Sequence, residues 1–153
     1  MTHLQAGDKA PRFTAFDQHG NKVSLAGFKG KKLALYFYPQ DLTAACTTQA
    51  CNLRDRYSAL QKAGIAVVGV SPDTAEKHLQ FEAKHQLPFP LITDPEHKLI
   101  NLYGVWGEKQ LYGRKYMGLH RTTFLINEKG VIEKVFLRPK NKAHAEELLS
   151  QPA

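Results

Sequence analysis

The feature that most constrains the fold is a pair of short apolar runs joined by a helical segment. The first run, residues 33–38, ends at Pro39, which has no N–H to donate to a sheet. A helical pattern then runs from Thr43, a good N-cap, to about residue 63, and Gly64 ends it. The second run, residues 65–70, is rich in β-branched residues and is typical of a buried parallel strand. The pattern therefore predicts a βαβ unit.

The only two cysteines, Cys46 and Cys51, lie near the start of this predicted helix. With Thr43 as N-cap, Cys46 is the third helical residue, where unpaired backbone N–H groups and the helix dipole favour an anion. We therefore expect Cys46 to be substantially ionised at neutral pH and to act as a nucleophile. On spacing alone, two small buried hydrophobic residues would be an equally good interpretation. The position at the end of a strand favours a functional site.

The five-residue spacing of the cysteines limits how they can pair. On an ideal helix their Cα atoms lie roughly 8.7 Å apart, which exceeds the limit of about 7 Å for a disulfide. Cys46 and Cys51 can therefore pair only after the first turn of the helix unwinds. The spacing is not the Cys-x-x-Cys of thioredoxin-type redox motifs. Because no regularly spaced histidines accompany the two cysteines, we expect no metal site.

Two segments resemble the peroxiredoxins, which are thiol peroxidases, and in particular the peroxiredoxin Q, or bacterioferritin comigratory protein, subfamily. The first, residues 36–51, contains the Pro-x-x-x-Thr-x-x-Cys motif from Pro39 to Cys46. The second is residues 116–126, Tyr-Met-Gly-Leu-His-Arg-Thr-Thr-Phe-Leu-Ile. The resemblance extends over residues 7–149, nearly the whole chain.

The resemblance assigns a role to each matching residue. It implies that Cys46 is the peroxidatic cysteine and Cys51 the resolving cysteine. Arg121 matches the active-site arginine of the family. Without the resemblance, we would expect a charged side chain at this position to lie at the surface. The substrate-binding residues it implies are Pro39, Thr43, Ala45, Cys46 and Arg121, and Thr43 and Arg121 also have catalytic roles.

The chain departs from the subfamily pattern beside the peroxidatic cysteine. Ala44 and Ala45 stand where the subfamily often has Pro-Gly, and Gln49 stands where it often has Glu. The first departure should reshape the loop that enters the helix, and the second removes a nearby negative charge. Neither departure removes a reacting group. We therefore expect both to affect the rate of the reaction and the ease of helix unwinding more than the activity itself.

The implied reaction is the reduction of hydrogen peroxide and organic hydroperoxides through a Cys46 sulfenic acid, which Cys51 resolves as an intramolecular disulfide. Thioredoxin is the implied reductant, with glutaredoxin or glutathione as alternatives, and no cofactor is needed. Two other functions remain open, a protein disulfide reductase and a basic nucleic-acid-binding module. The net charge of +7 would suit the latter, but the basic residues are spread along the chain without a recognition motif.

Length and composition bound the organisation of the protein. The chain has 153 residues, 42% of them hydrophobic, which is enough for one domain with a full core and short for two. We therefore expect a single domain spanning residues 1–153. No apolar run approaches the ~18–20 residues that span a bilayer, and the first residues lack the apolar core of a signal peptide. We therefore expect a cytoplasmic protein, since a reducing compartment suits a catalytic thiol pair. We also expect a monomer, because both cysteines lie in one chain.

The rest of the sequence completes an α/β pattern. We expect a thioredoxin-like fold, with a central mixed β-sheet flanked by helices and an N-terminal β-hairpin. The hairpin, at residues 12–25, is indicated by alternation around a turn. The further predicted elements are a helix at 75–85 capped by Thr74 or Asp73, a strand within 88–95, a helix at 96–103 that Asp94 could cap, a hairpin of strands 122–127 and 131–137, and a helix at 142–149.

The glycine-rich residues 104–118 are predicted to form a long loop. We expect its aromatic side chains, Trp106, Tyr112 and Tyr116, to cover the edge of the core. His120 precedes Arg121, and alternation along the strand would send the two side chains to opposite faces. We therefore leave His120 out of the site.

Overall fold

The computed structural model describes residues 2–151, which form nine strands, five α-helices and a 3-10 helix at Leu25–Phe28. No helix among these residues is both long and apolar enough to cross a bilayer. The strands are β1 Thr14–Phe16, β2 Lys22–Ser24, β3 Lys32–Phe37, β4 Ile65–Ser71, β5 Leu91–Thr93, β6 Trp106–Leu111, β7 Arg114–Leu119, β8 Thr122–Ile126 and β9 Ile132–Phe136. The helices are α1 Ala44–Asp55, α2 Tyr57–Lys62, α3 Ala75–His85, α4 Lys98–Leu102 and α5 His144–Leu149.

A mixed five-stranded sheet, in the order β5-β4-β3-β8-β9, forms the centre of the molecule. Strands β3, β4 and β5 are parallel, so that β3, α1, α2 and β4 make the predicted βαβ unit. Strand β8 runs antiparallel to β3, and β9 runs antiparallel to β8 as the predicted hairpin. Strands β1 and β2 form the predicted N-terminal hairpin, a separate two-stranded sheet.

Both faces of the central sheet are covered by other parts of the chain. Because side chains alternate along each strand, each strand contributes residues to both cores. On β3, Leu33, Leu35 and Phe37 pack in one core with the N-terminal hairpin and α4. Tyr36 and Tyr38 point to the other face, where they pack with residues of α1, α2, α3 and α5. The helix that carries both cysteines therefore lies against the tyrosine face.

The predicted helix caps are mostly present. Thr74 caps α3 through its side-chain oxygen, which accepts a hydrogen bond from the N–H of Lys77 (3.3 Å). The carboxylate of Asp94 accepts from the N–H of Ile100 in α4 (2.8 Å), although His97 occupies the N-cap position. Asp94 therefore accepts a hydrogen bond from the start of α4 as predicted, but it lies about one turn before the N-cap residue.

The single helix predicted over residues 43–63 is wrong, because the chain forms two helices there. Arg56, with φ −107° and ψ 15°, ends α1 and precedes α2. Leu53 in α1 and Leu60 in α2 are both fully buried, so each helix contributes its own side chain to the core. Gly64 follows with φ +77°, a left-handed conformation that suits the predicted stop.

The long loop predicted at residues 104–118 is also wrong, because most of it forms an antiparallel hairpin of β6 and β7. Tyr112 (φ 51°) and Gly113 (φ 76°) supply the two left-handed residues of a tight hairpin turn. Trp106 packs against the core edge as predicted. Tyr112 is 99% exposed and Tyr116 43% exposed, so the expectation that these two cover the core is wrong.

Candidate active site

Cys46 lies at the N-terminal end of α1, at the carboxyl end of β3. Thr43 occupies the N-cap position, with φ −82° and ψ 158°, as the sequence predicts. Its hydroxyl does not cap the helix, however, because it donates to the backbone oxygen of Gln40 in the preceding loop (2.9 Å). The first backbone N–H groups of α1 have no acceptor within the helix. The positive end of the helix dipole is therefore uncapped beside Cys46.

Arg121 reaches Cys46 although the two residues are 75 positions apart in the sequence. Strands β3 and β8 pair antiparallel, with Phe37 opposite Thr122, so the end of β3 and the start of β8 are neighbours. Arg121 Nη2 donates to Cys46 Sγ at 3.2 Å. The guanidinium thus faces the thiol, as the resemblance implied. The general tendency of charged side chains would instead have placed it at the surface.

Gln49 is a buried partner of the same arginine. It lies three residues after Cys46 and therefore on the same face of α1. Its side-chain oxygen accepts from Arg121 Nη1 at 2.7 Å, and its amide nitrogen has no hydrogen-bond partner within residues 2–151. Because this partner is an amide and not a carboxylate, no negative charge offsets the guanidinium at this contact. The full positive charge of Arg121 remains available to Cys46.

A buried polar network holds the loop between β3 and α1. Tyr38 donates to one oxygen of the Asp41 carboxylate (2.6 Å), and His78 Nδ1 contacts the other at 2.5 Å. The other ring nitrogen of His78 lies 3.0 Å from the carbonyl oxygen of Ile92. A carbonyl only accepts, so that nitrogen is the donor. The Asp41 N–H donates to the Asp73 carboxylate (2.7 Å), which fixes the loop backbone as well.

Asp41, Asp73 and His78 are the described side chains whose donor atoms lie close enough to hold a metal ion, within 4.8 Å of one another. Their donor atoms are already engaged in the hydrogen bonds of the network. Asp73 also accepts from the Ser71 hydroxyl at 2.7 Å. We therefore assign these three side chains to positioning the loop, and they do not enter the chemistry proposed below.

Two tyrosines lie beneath the site on the same face of the sheet, Tyr36 in β3 and Tyr38 just after its last residue. Tyr36 and Tyr38 stack with ring centroids 5.3 Å apart, and both are almost fully buried. Burial raises the pKa of both hydroxyls well above the usual value, and Cys46 in its ionised form raises the pKa of Tyr36 further. Both therefore stay neutral. The Tyr36 hydroxyl has no hydrogen-bond partner in the described part of the chain.

Cys51 lies further along α1 than Cys46 and is half-buried. Its Sγ atom is 3.8 Å from Nδ1 of His85, the last residue of α3. Both cysteines are free thiols within the intact helix. This arrangement agrees with the estimate that the pair is too far apart to form a disulfide in the folded helix.

The structure brings most of the sequence-predicted site residues to one end of the sheet. Thr43, Ala45 and Cys46 occupy the start of α1, with Pro39 in the loop before it, and Arg121, the residue just before β8, faces them. Ala45 is exposed and Pro39 half-buried. His120 stays outside this group, with its backbone N–H donating to Val105 O at 2.7 Å.

Sequence reasoning named Gln49 as a departure from the subfamily pattern but did not place it in the site, although its spacing to Cys46 puts both residues on one helix face. It missed three further residues of this region. Asp41, His78 and His85 carry no comparable signal, because their contacts join elements that are distant in sequence.

The comparisons with known proteins agree with this geometry. The AhpC/TSA family model matches residues 6–135. A putative peroxiredoxin bcp from Haemophilus influenzae is 50% identical over 144 residues, 94% of this chain and 93% of that protein. Peroxiredoxin Bcp from Bacillus subtilis is 44% identical over 146 residues, 95% of this chain and 93% of that protein.

A solved structure is also similar. Bacterioferritin comigratory protein from Xanthomonas campestris, which has alkyl peroxide reduction activity, superposes with a TM-score of 0.84 at 31% identity and covers 90% of this chain and 88% of that one. The similarity confirms the predicted thioredoxin-like fold.

Proposed function

Since the chain belongs to the AhpC/TSA family and its relatives are Bcp peroxiredoxins, we propose that it reduces hydrogen peroxide and small organic hydroperoxides with Cys46 as the peroxidatic thiol. The contact between Arg121 and Cys46 at the uncapped start of α1 is the observation that carries this proposal. A cation and unpaired N–H groups around one buried sulfur favour a thiolate and an oxyanion at that place.

In the first step the Cys46 thiolate attacks the terminal oxygen of the hydroperoxide. The S–O bond forms as the O–O bond breaks, which leaves a sulfenic acid on Cys46 and an alkoxide or hydroxide that takes up a proton. Arg121 and the N–H groups at the start of α1 stabilise the negative charge that develops on the leaving oxygen. The Thr43 hydroxyl already donates to Gln40, so its oxygen accepts a hydrogen bond from the hydroperoxide O–H.

The burial of the sulfur limits the size of the substrate. Cys46 is only 1% exposed in the reduced protein. A hydroperoxide must therefore insert its terminal oxygen between Arg121 and the loop that contains Pro39 and Thr43. This arrangement favours hydrogen peroxide and slender alkyl hydroperoxides over bulky ones.

In the second step Cys51 attacks the sulfur of the sulfenic acid, which gives an intramolecular disulfide and water. The first turn of α1 must unwind for the two sulfur atoms to meet. We assign reduction of the disulfide to thioredoxin, with glutaredoxin or glutathione as alternative thiol donors. The two steps that consume the peroxide use the two thiols of one chain, so a monomer without a metal or organic cofactor suffices for them.

Turnover of the purified protein tests the proposal. With thioredoxin, thioredoxin reductase and NADPH, we expect the wild type to consume peroxide, measured as oxidation of NADPH, and Cys46→Ser to be inactive. Cys51→Ser is the matched control, because it should still form a sulfenic acid with one equivalent of peroxide. Normal turnover by Cys46→Ser would contradict the assignment. Reduction of insulin disulfides by a peroxide-inert protein would instead indicate a disulfide reductase.

A further inference from the structure

We propose that His85 accepts the proton of the Cys51 thiol, and that Cys51 stays beside His85 while Cys46 moves to meet it. The inference rests on the proposed function, since it concerns the step in which Cys51 resolves the sulfenic acid. It adds a catalytic residue, because the imidazole touches one of the two reacting sulfur atoms.

The position of His85 is fixed by contacts on two sides. Its Nδ1 atom lies 3.8 Å from Cys51 Sγ. The Phe81 ring and the imidazole pack in a T-shaped arrangement, with ring centroids 5.6 Å apart and an interplanar angle of 81°. Arg54, one turn after Cys51, donates to the backbone oxygen of His85 at 2.7 Å. The last contact joins the end of α3 to the turn of α1 that carries Cys51.

The second half of α1 is fastened to the rest of the protein as well. The side-chain amide of Asn52 donates to Lys142 O (3.1 Å) and to the Glu146 carboxylate (3.2 Å). Its oxygen accepts from the N–H of Ala145 at 2.7 Å. Leu53, the next residue, is fully buried. These contacts keep Cys51 and its surroundings in place when the helix opens at its other end.

The first turn of α1 has fewer restraints. Its N-cap makes no side-chain hydrogen bond to the helix, and Ala44 and Ala45 are exposed. The Cys46 side chain is held by the hydrogen bond from Arg121. Oxidation of Cys46 to the sulfenic acid changes that contact. Unwinding therefore starts at the first turn and brings Cys46 to a stationary Cys51.

The resolving step then balances in protons and electrons. Nδ1 of His85 takes the proton of the Cys51 thiol, and the thiolate attacks the sulfur of the Cys46 sulfenic acid. As the S–S bond forms, the S–O bond breaks, and the leaving hydroxide takes the proton from the imidazolium and departs as water. Both sulfur atoms end in the disulfide, and His85 returns to its neutral form.

The charge surroundings of His85 suit a proton acceptor. Burial lowers its pKa from 6.5, and so do the positive charges of Lys84 beside it and Arg54 on α1. The imidazole is therefore mostly neutral at pH 7, and in the tautomer that has its proton on Nε2 the Nδ1 atom can accept the proton of Cys51. Because protonation removes that capacity, the rate of the resolving step should fall as the pH drops through the His85 pKa, below 6.5.

Single-turnover kinetics tests this role. Reduced wild type and His85→Asn are mixed with one equivalent of hydrogen peroxide and quenched in acid, and mass spectrometry follows the sulfenic acid and the disulfide. Asn offers a hydrogen-bonding group near the position of Nδ1 but takes up no proton. An unassisted thiol of pKa ~8.5 is only about 3% ionised at pH 7, so we expect disulfide formation to slow by roughly 10- to 30-fold there. The two rates should converge near pH 9.

The formation of the sulfenic acid is the internal control, and its rate should be the same in both proteins. A matched variant, Lys84→Gln, keeps the imidazole and should resolve at the wild-type rate at pH 8. Equal rates of disulfide formation at pH 7 in wild type and His85→Asn would overturn the inference. So would a deficit that persists at pH 9, since it would indicate a structural effect. If Cys46 forms no sulfenic acid at all, the proposed function fails instead.

Discussion

The two halves of α1 carry one cysteine each and are held in different ways. The first half contains Cys46, begins without a side-chain cap, and has Arg121 as its polar contact with the sheet. The second half contains Cys51 and is joined to α5 through Asn52 and to the end of α3 through Arg54. One helix thus combines a weakly restrained end with a firmly restrained one.

This difference suggests how a single helix can serve two chemical steps. In the proposed mechanism the peroxidatic step needs an intact helix start, because the N–H groups and Arg121 act on Cys46 only in the folded arrangement. The proposed resolving step needs that start to open. Placing Cys51 on the restrained half means that only one of the two thiols has to move.

The largest expected effect comes from removing the cation that holds the first half. Arg121→Gln should lower kcat/KM for hydrogen peroxide by roughly 10²- to 10³-fold, the loss typical of one oxyanion-stabilising donor. Arg121→Lys should fall in between, because it keeps a charge but not the two-armed contact with Cys46 and Gln49. Peroxide consumption by stopped flow measures both.

Arg138 provides a control for this prediction, since it is an exposed arginine on the segment after β9. Arg138→Gln should keep the wild-type kcat/KM. Full activity in Arg121→Gln would show that the helix start alone supplies the stabilisation.

A smaller effect is expected from releasing the second half. Asn52→Ala removes three hydrogen bonds between α1 and the α5 region, and should lower the free energy of unfolding by about 2–3 kcal/mol. Amide hydrogen exchange around Cys51 should also accelerate in the reduced protein. Urea unfolding and exchange mass spectrometry measure the two effects.

Asn101→Ala serves as the matched control, because Asn101 is exposed and a substitution there should change stability by less than about 0.5 kcal/mol. If Asn52→Ala left exchange around Cys51 unchanged, the contacts of Asn52 would not be what restrains this half.

The smallest changes in stability are expected from substituting the two stacked tyrosines beneath the start of α1. Tyr38→Phe removes a donor from the buried Asp41 carboxylate and should destabilise the protein by roughly 1.5 kcal/mol. Tyr36→Phe removes a hydroxyl that has no partner among residues 2–151. It should be neutral or stabilising by up to about 1 kcal/mol.

Thermal and urea unfolding of the two variants compare them directly, and each serves as the control of the other. Equal losses of stability in Tyr36→Phe and Tyr38→Phe would mean that the Asp41 network does not anchor the loop before α1.

Local sequence patterns predicted the elements that frame the site. The apolar runs that became β3 and β4, the stop at Gly64 and the position of Cys46 near a helix start all follow from short-range propensities. The pattern failed where glycines were taken to indicate a loop. Gly107 and Gly118 instead lie opposite each other across the paired strands β6 and β7, a pairing that depends on contacts between strands and is weakly encoded in composition.

What the sequence determined by itself is the local chemistry, namely a cysteine at a helix start and a second cysteine too far along that helix to pair with it. Only the tertiary structure decided which side chains face these thiols. Arg121 reaches Cys46 because β8 pairs with β3, and His85 reaches Cys51 because α3 packs beside α1. Propensity and spacing act over a few residues, whereas these contacts join residues 75 and 34 positions apart.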